Sequence, residues 1–316
     1  MRVVATLLLA LACTWAQAQS YPSRPITIIV PFGAGGPADI YARFLAERMQ
    51  GSLGTIVVED RPGGGSIVGS TVAAQSAPDG YTLLLMSNTH TVNETLRPKK
   101  PFKLMEDFVP VAPINYSDLL LVVHPSVNVS DVKGLIALAK SQPGKLNYAS
   151  SGPGTPYHMA GELFKSMAGV DIVHIPHKGS DQARLSILSG QVQMMFDAIT
   201  TMGQNARAGK VKALGTSGKT RSSVMPEVPT VSEAGVPGYE ATIWLGVVAP
   251  KGTPKAIVDR LNAEITKVTT SPEVKAAWAK QGASPLVMNP GEFEQYLVAD
   301  IAKWRKVIND AGIKLD

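Results

Sequence analysis

Cysteine is nearly absent from this chain of 316 residues: the single one is Cys13. One thiol excludes an internal disulfide framework and any Cys-based metal cluster. Charge is also sparse, at 17% of residues, with a net charge of only +5. The basic run Arg97-Pro98-Lys99-Lys100 reads as a solvated loop, so nucleic acid is not an expected partner. Long apolar runs are missing too. Beyond the first twenty residues nothing approaches the ~20 apolar residues of a membrane span, so no direct membrane insertion is expected. The five histidines (90, 124, 158, 174 and 177) hold no metal-ligand spacing, and His174 and His177 straddle Pro176 at a strand end. Neither a metal nor a cofactor is expected.

What is present begins with an export signal. Arg2 supplies a positive start, Val3 to Ala12 an apolar stretch, and Ala16-Gln17-Ala18 a small-x-small cleavage site. Residues 1–18 are read as a signal peptide cut after Ala18. Cys13 leaves with it, because Ala10-Leu11-Ala12-Cys13 displaces the leucine that a lipid-attachment site favours. The mature chain is then cysteine-free and suited to an oxidising compartment outside the cytoplasm.

The remainder alternates strands and helices. Ile26 to Val30, Thr55 to Val58 and Thr82 to Met86 read as strands, with helices over Asp39 to Met49 and Ser66 to Ala74 between them. In the first helix Ile40, Phe44, Leu45 and Met49 form the expected buried face. Val109 to Ile114 and Leu119 to Val123 read as two further strands. The pattern then restarts: helix Val132 to Lys140, strand Leu146 to Ala149, helix Met159 to Met167 with Met159, Leu163 and Met167 inward, strands near 172–175, 192–196 and 211–214, and a strand over Ile243 to Ala249. Three helices beginning at Pro254, Pro272 and Pro290 close the chain. The fold class is α/β, with two doubly wound sheets in two lobes. The chain is expected to cross between lobes near Val123 and Val247, a two-strand hinge. That divides it into residues 19–123 with 247–316, and residues 124–246, the helical tail returning to the first lobe.

Two turns carry chemistry. Pro31-Phe32-Gly33-Ala34-Gly35-Gly36-Pro37-Ala38-Asp39 follows a buried strand and opens a helix. Its glycines let the backbone approach a ligand, and free N–H groups at a helix start favour an anion. Ser150-Ser151-Gly152-Pro153-Gly154-Thr155-Pro156-Tyr157-His158 repeats the arrangement in the second unit. A bare strand-to-helix turn has the same spacing; two of them, one per lobe, point to a clamp on a carboxylate. The candidate ligand-binding residues are Phe32, Gly33, Ala34, Gly35, Ala38 and Asp39 from the first turn. The second gives Ser150, Ser151, Gly154, Thr155 and His158. Asn88 and His90 follow the third strand, and Asp197 ends the strand near 196. Lys178-Gly179-Ser180-Asp181 is a further segment that could line the cleft.

Two enzyme classes compete for the same residues. Gly33-x-Gly35-x-x-Ala38 with Glu59 and Asp60 loosely matches a dinucleotide fingerprint, but Pro37 falls inside it and export removes the chain from nicotinamide cofactors. Ser151 and His158 lie close in sequence without a Gly-x-Ser-x-Gly elbow, so a hydrolase has no motif.

Several ordered motifs remain: Tyr21-Pro22-Ser23-Arg24-Pro25-Ile26, the Val30–Asp39 turn, Arg61-Pro62-Gly63-Gly64-Gly65, Pro78-Asp79-Gly80-Tyr81-Thr82-Leu83, Asp107-Phe108-Val109-Pro110-Val111, Leu146 to Gly152, Ala208 to Leu214, Val228 to Gly235 and Ala249 to Pro254. In this order the chain resembles the extracytoplasmic solute receptors of the tripartite tricarboxylate transporter system, the Bug or TctC-like family. The resemblance spans essentially the whole mature chain. It implies a type II periplasmic binding fold, the Venus flytrap, and a monomeric, non-enzymatic periplasmic receptor that delivers a small carboxylate (a dicarboxylate or aromatic acid) to membrane transporter subunits. It also implies that loops matching Phe32–Asp39 and Ser150–His158 hold the carboxylate. Ala38 departs from the threonine or serine of many members. The pocket, read as neutral with Phe32, Tyr157 and Trp244 nearby, is expected to favour an apolar or aromatic acid.

Overall fold

The computed structural model describes residues 21–314. The signal-peptide reading of residues 1–18, Cys13 included, lies outside them.

Strand β1 (Ile26–Val30) is followed by α1 (Pro37–Leu53), β2 (Ile56–Asp60), α2 (Ile67–Ala74) and β3 (Thr82–Ser87). Then come α3 (Asn88–Leu96), α4 (Leu104–Asp107) and β4 (Phe108–Val123). The second half has α5 (Val132–Ser141), β5 (Asn147–Ser150), α6 (Pro156–Ala168), β6 (Val173–Pro176), α7 (Ser180–Leu188), β7 (Met194–Ala198), α8 (Ile199–Arg207) and β8 (Lys212–Thr216). The chain returns through β9 (Thr242–Pro250), α9 (Lys255–Thr269), α10 (Pro272–Ala279), β10 (Ala283–Pro285) and α11 (Pro290–Asp310).

The strands form one hydrogen-bonded path, β2-β1-β3-β9-β4-β7-β5-β6, with β8 and β10 also on β4. β1 runs parallel to β2 and β3, and β5 runs parallel to β6 and β7, as β-α-β units require. β9 inserts antiparallel between β3 and β4. The path bends at β4, a single strand of 16 residues. Residues 108–118 pair with β9 and 119–123 pair with β7. The partner exchange therefore falls at Asp118/Leu119, five residues before the crossing expected near Val123. On the return, the Ala241 N–H donates to the Ser217 carbonyl while Thr242 pairs with Asp118. That crossing also precedes the expected Val247.

Two strands were expected where β4 is continuous. Asn115 and Ser117 suggested a break, yet both are buried, Asn115 opposite Leu245 and Ser117 between Ile243 and Ala283. Main-chain pairing on both sides overrides the side-chain preference. The prolines leave a different mark: register shifts fall at Pro110/Ala112 and Pro113/Asn115, where a ladder N–H is missing.

Each half has its own core. Leu119 to Val123 pack with Tyr148, Phe164 and Phe196 in the second half. In the first, Ile26, Ile28, Leu45 and Leu85 lie on one face with Val258 and Leu261 of the tail, and Leu84, Trp244, Phe293 and Leu297 lie on the other. The tail thus returns to the first half. A fourth cluster joins the halves: Val92 of α3, Met159 of α6, and Trp304 and Ile308 of α11.

Two helix faces differ from expectation. In α1 the buried stripe is Ala38, Tyr41, Ala42, Leu45, Ala46 and Met49, whereas Ile40 is 45% exposed. In α6 Phe164 is buried and Met167 is exposed. Small alanines define the first stripe as well as large residues do, so counting large residues alone rotated the face.

Candidate functional site

A cavity of about 640 Å³ lies among the turns of both halves. That volume suits a small-molecule ligand. Pro31 to Gly33, Gly36 to Ala38, Pro62 to Ser66, Ser87 and Arg97 line it from the first half. Ser151 to Pro153, Thr155 to Tyr157 and Pro176 to Ser180 line it from the second, with Ile243 and Leu245 of β9.

The turns are there because strands end there. β1, β2, β3, β5 and β6 each deliver the chain to a helix whose N-cap faces the cavity: Gly36 for α1, Ser66 for α2, Ser87 for α3, Thr155 for α6 and Gly179 for α7. Only Ser87 caps its helix with a side chain, accepting from the Thr89 N–H. The other four make no side-chain cap. Away from the cavity, Asp131, Ser271 and Asn289 do cap α5, α10 and α11. α4, α8 and α9 elsewhere lack such a cap too; what the cavity adds is the convergence of four uncapped starts, whose N-cap side chains leave first-turn N–H groups to another acceptor.

The halves touch on two sides of this space. A Cβ on Gly36 would stand 2.6 Å from Ser180 Oγ, and one on Gly65 would stand 2.5 Å from the Pro153 carbonyl oxygen. Glycine is required at Gly65, which meets backbone and has φ +64°, whereas a Cβ on Gly36 would meet a serine hydroxyl that can rotate away.

Of the residues named from sequence, Phe32, Gly33, Ala38, Ser151 and Thr155 line the cavity. The others stand behind it and hold the turns. Ala34 and Gly35 are exposed, and the Gly35 N–H donates to Asp39 Oδ2 at 2.9 Å. Asp39 also accepts from Arg43 Nε at 2.5 Å, and Arg43 reaches Asp60 at 2.8 Å. Asn88 Nδ2 donates to the Thr242 carbonyl at 3.1 Å. His90 is fully buried, with Nε2 2.9 Å from Ser70 Oγ; burial lowers its pKa to about 4, so the ring is neutral. Ser150 Oγ lies 2.6 Å from His174 Nε2 and accepts from the Gly152 N–H. The Gly154 N–H donates to His158 Nδ1 at 3.1 Å. Burial, and then Lys165, lower the His158 pKa to about 4, which keeps that nitrogen an acceptor. Asp197 is locked by Arg184 Nε at 2.8 Å and its neighbour's Ala198 N–H at 2.9 Å.

Sequence reasoning missed other lining residues. Pro62 to Ser66 repeats the strand, glycine turn and helix pattern, so its signal was available. The sequence reading places no helix over Asn88–Leu96, but Ser87 and His90 form a capping box that starts α3 there. This helix carries Arg97 to the cavity. The run 97–100 is therefore not a solvated loop: Arg97 lines the cavity, and Lys100 Nζ is buried against Glu94 at 2.7 Å. Nor is the pocket neutral. Arg97 and Lys178 are charged members of its lining, and no Asp or Glu is among them. Trp244 points away, its Nε1 donating to Asp300 Oδ2 at 3.3 Å, because strand alternation gives Ile243 and Leu245 the cavity face. Among the described residues no group of three or more His, Cys, Asp or Glu could hold a metal ion, and no helix is long and apolar enough to cross a membrane.

Comparison with known proteins gives a consistent picture. The family described as tripartite tricarboxylate transporter family receptor matches residues 41–313. BugT of Bordetella pertussis is 38% identical over 301 residues, covering 94% of this chain and 92% of that protein. A solved R. palustris protein with adipate has a TM-score of 0.90 at 33% identity, covering 93% of this chain and 99% of that one. The periplasmic binding protein BugD has a TM-score of 0.89, also at 33% identity and the same coverage. The dehydrogenase and hydrolase alternatives have no counterpart among these relatives. The chain belongs to the tripartite tricarboxylate transporter receptor family, whose members are solute-binding receptors and not enzymes.

Proposed function

We propose that this receptor works in the periplasm, captures a small carboxylate in the cavity and hands it to the membrane subunits of its transporter. The observation that carries the reading is the convergence of five helix N-caps, four without a side-chain cap, on a cavity lined by Arg97 and Lys178 and by no carboxylate. Backbone N–H groups and two cations favour an anion, and Phe32, Ile243 and Leu245 offer apolar surface to its carbon skeleton. The adipate held by the R. palustris relative supports this ligand class. Two lobes close on the ligand by rotation at the crossings near Asp118 and Thr242, where hydrogen-bond partners change. Export by residues 1–18 and delivery as a monomer complete the proposal.

The test is thermal unfolding of the mature protein with aliphatic, aromatic and amino-acid carboxylates, with NAD as a control. A ligand at a hundred times its Kd stabilises by about 2.7 kcal/mol. A shift with one class of acid and none with NAD is expected. A shift with NAD and with no acid would overturn the reading.

A further inference from the structure

We propose that Arg97, against the Gly63–Ser66 turn, forms an anion subsite of its own in the cavity and takes the second carboxylate of a diacid. The proposal rests on the receptor reading above and adds to it a specificity residue and a ligand class.

One serine beside the cavity is unusual. Ser66 has φ +77°, the one non-glycine residue at positive φ among the described residues. It is 2% exposed, it lines the cavity, and its hydroxyl has no hydrogen-bond partner. A strained backbone that leaves a buried hydroxyl unpaired is costly on both counts. Such costs concentrate where a ligand completes the arrangement.

Arg97 stands beside it. Helix α3 is pinned to the turn by Asn93, whose Nδ2 donates to the Gly65 carbonyl at 2.8 Å. The residue after that helix is Arg97, and its Nε and Nη2 lie 3.7 Å from where a Cβ on Gly65 would be. The absent side chain of Gly65 thus leaves space beside the guanidinium. Nε is buried without a partner, and Arg97 belongs to no ion pair among the described residues.

The contrast with two other enclosed cations is what gives this weight. The Lys100 side chain is 2% exposed and has Glu94 at 2.7 Å; that of Arg184 is 15% exposed and has Asp197 at 2.8 Å. Each of these two enclosed cations is supplied with a carboxylate. At Arg97 it supplies none, and the space in front is the cavity. A planar guanidinium with free N–H groups matches the two oxygens of a carboxylate. The helix N-caps hold one carboxylate through the backbone, so a carboxylate at Arg97 is a second one, and both unpaired donors flanking Gly65 gain an acceptor near them.

The test is isothermal titration of the mature protein with four diacids, succinate, glutarate, adipate and benzene-1,4-dicarboxylate, each beside its monoamide. The monoamide keeps the size and one carboxylate. In the wild type the preferred diacid should bind at least about tenfold more tightly than its monoamide. Arg97→Gln should weaken that diacid by about 30-fold and the monoamide by less than about threefold, so that the two converge. Arg97→Lys, which keeps the charge and loses the planar fork, should fall between. Unchanged melting temperatures without ligand would establish that both variants fold. If Arg97→Gln keeps the diacid preference, or weakens diacid and monoamide equally, the subsite is wrong and the receptor reading stands. If the wild type binds none of the eight acids, both fall together.

Discussion

Two glycine-rich turns open on the same cavity and treat their polar groups in opposite ways. Pro31–Asp39 is closed on itself: the Gly35 N–H donates to Asp39, and Arg43 donates to both Asp39 and Asp60. Pro62–Ser66 is left open, with the Ser66 hydroxyl and the adjoining Arg97 Nε unpaired. A glycine turn before a helix tells where the backbone can come close to a ligand. It does not tell whether the donors there are free. The local signal is the acidic residue in the first helical turn, Asp39 in α1 and none in α2. A carboxylate placed there competes with the ligand for the same N–H groups.

The largest way to break this contrast is Gly65→Ala. The new Cβ meets the Pro153 carbonyl oxygen at 2.5 Å from a backbone already at φ +64°. Titration with whichever acid gives the largest thermal shift should show about a 100-fold loss of affinity, because the halves can no longer approach. Gly33→Ala, 3.4 Å from Gly179 Cα, should lose less than about threefold. Equal losses would mean that the two contacts contribute alike.

Asp39 has donors, whereas Asp118 accepts no hydrogen bond among the described residues and sits where β4 changes partners. Burial, and then Glu240, raise the Asp118 pKa from 3.8 to about 6. An acid raised in the folded state costs stability once ionised. The cost is absent below about pH 4, grows as pH rises towards 6 and is constant above. Asp118→Asn should therefore stabilise by on the order of 2 kcal/mol at pH 7 in urea unfolding and by nothing at pH 4. A gain that persists at pH 4 would assign the effect to packing.

The smallest effect is expected at Gly35→Ala. Its Cβ meets nothing within 4 Å, so only the φ of +73° resists it. Stability should fall by about 1 kcal/mol, with ligand affinity unchanged. A tenfold loss of affinity would place Gly35 itself on the binding surface.

The sequence made the β-α-β order legible because each strand is a short apolar run and each helix starts at a turn. It made the family legible through motifs that no single turn would specify. It hid what depends on neighbours distant in the chain. Asn115 and Ser117 look like a break until β9 and β10 pair on either side. Arg97 looks solvated beside Pro98 and Lys99, because nothing local reveals that α3 ends at the cavity. Trp244 looks like an aromatic wall because alternation gives two faces without saying which is inward. Asn88, His90, Ser150, His158 and Asp197 read as polar residues with a purpose, but in the structure each is hydrogen-bonded to a protein group: the Thr242 carbonyl, Ser70, His174, the Gly154 N–H and Arg184 respectively.

The insertion of β9 between β3 and β4 has a consequence for the order in which the molecule is finished. A chain emerging from its amino end presents β1, β2 and β3 early, yet the strand that pairs β3 on its other side is Thr242–Pro250. The second half, contiguous from Leu119 to Ala241, can close before then; the first half, though older, is completed last. At ordinary synthesis rates the intervening stretch keeps β3 waiting for on the order of ten seconds. During that interval the apolar strand Thr82–Ser87 is an unpaired edge, open to association with other chains. Its protection during that interval falls to whatever escorts the nascent chain, and the last helix, packing against both halves through Trp304 and Ile308, is the last element to join.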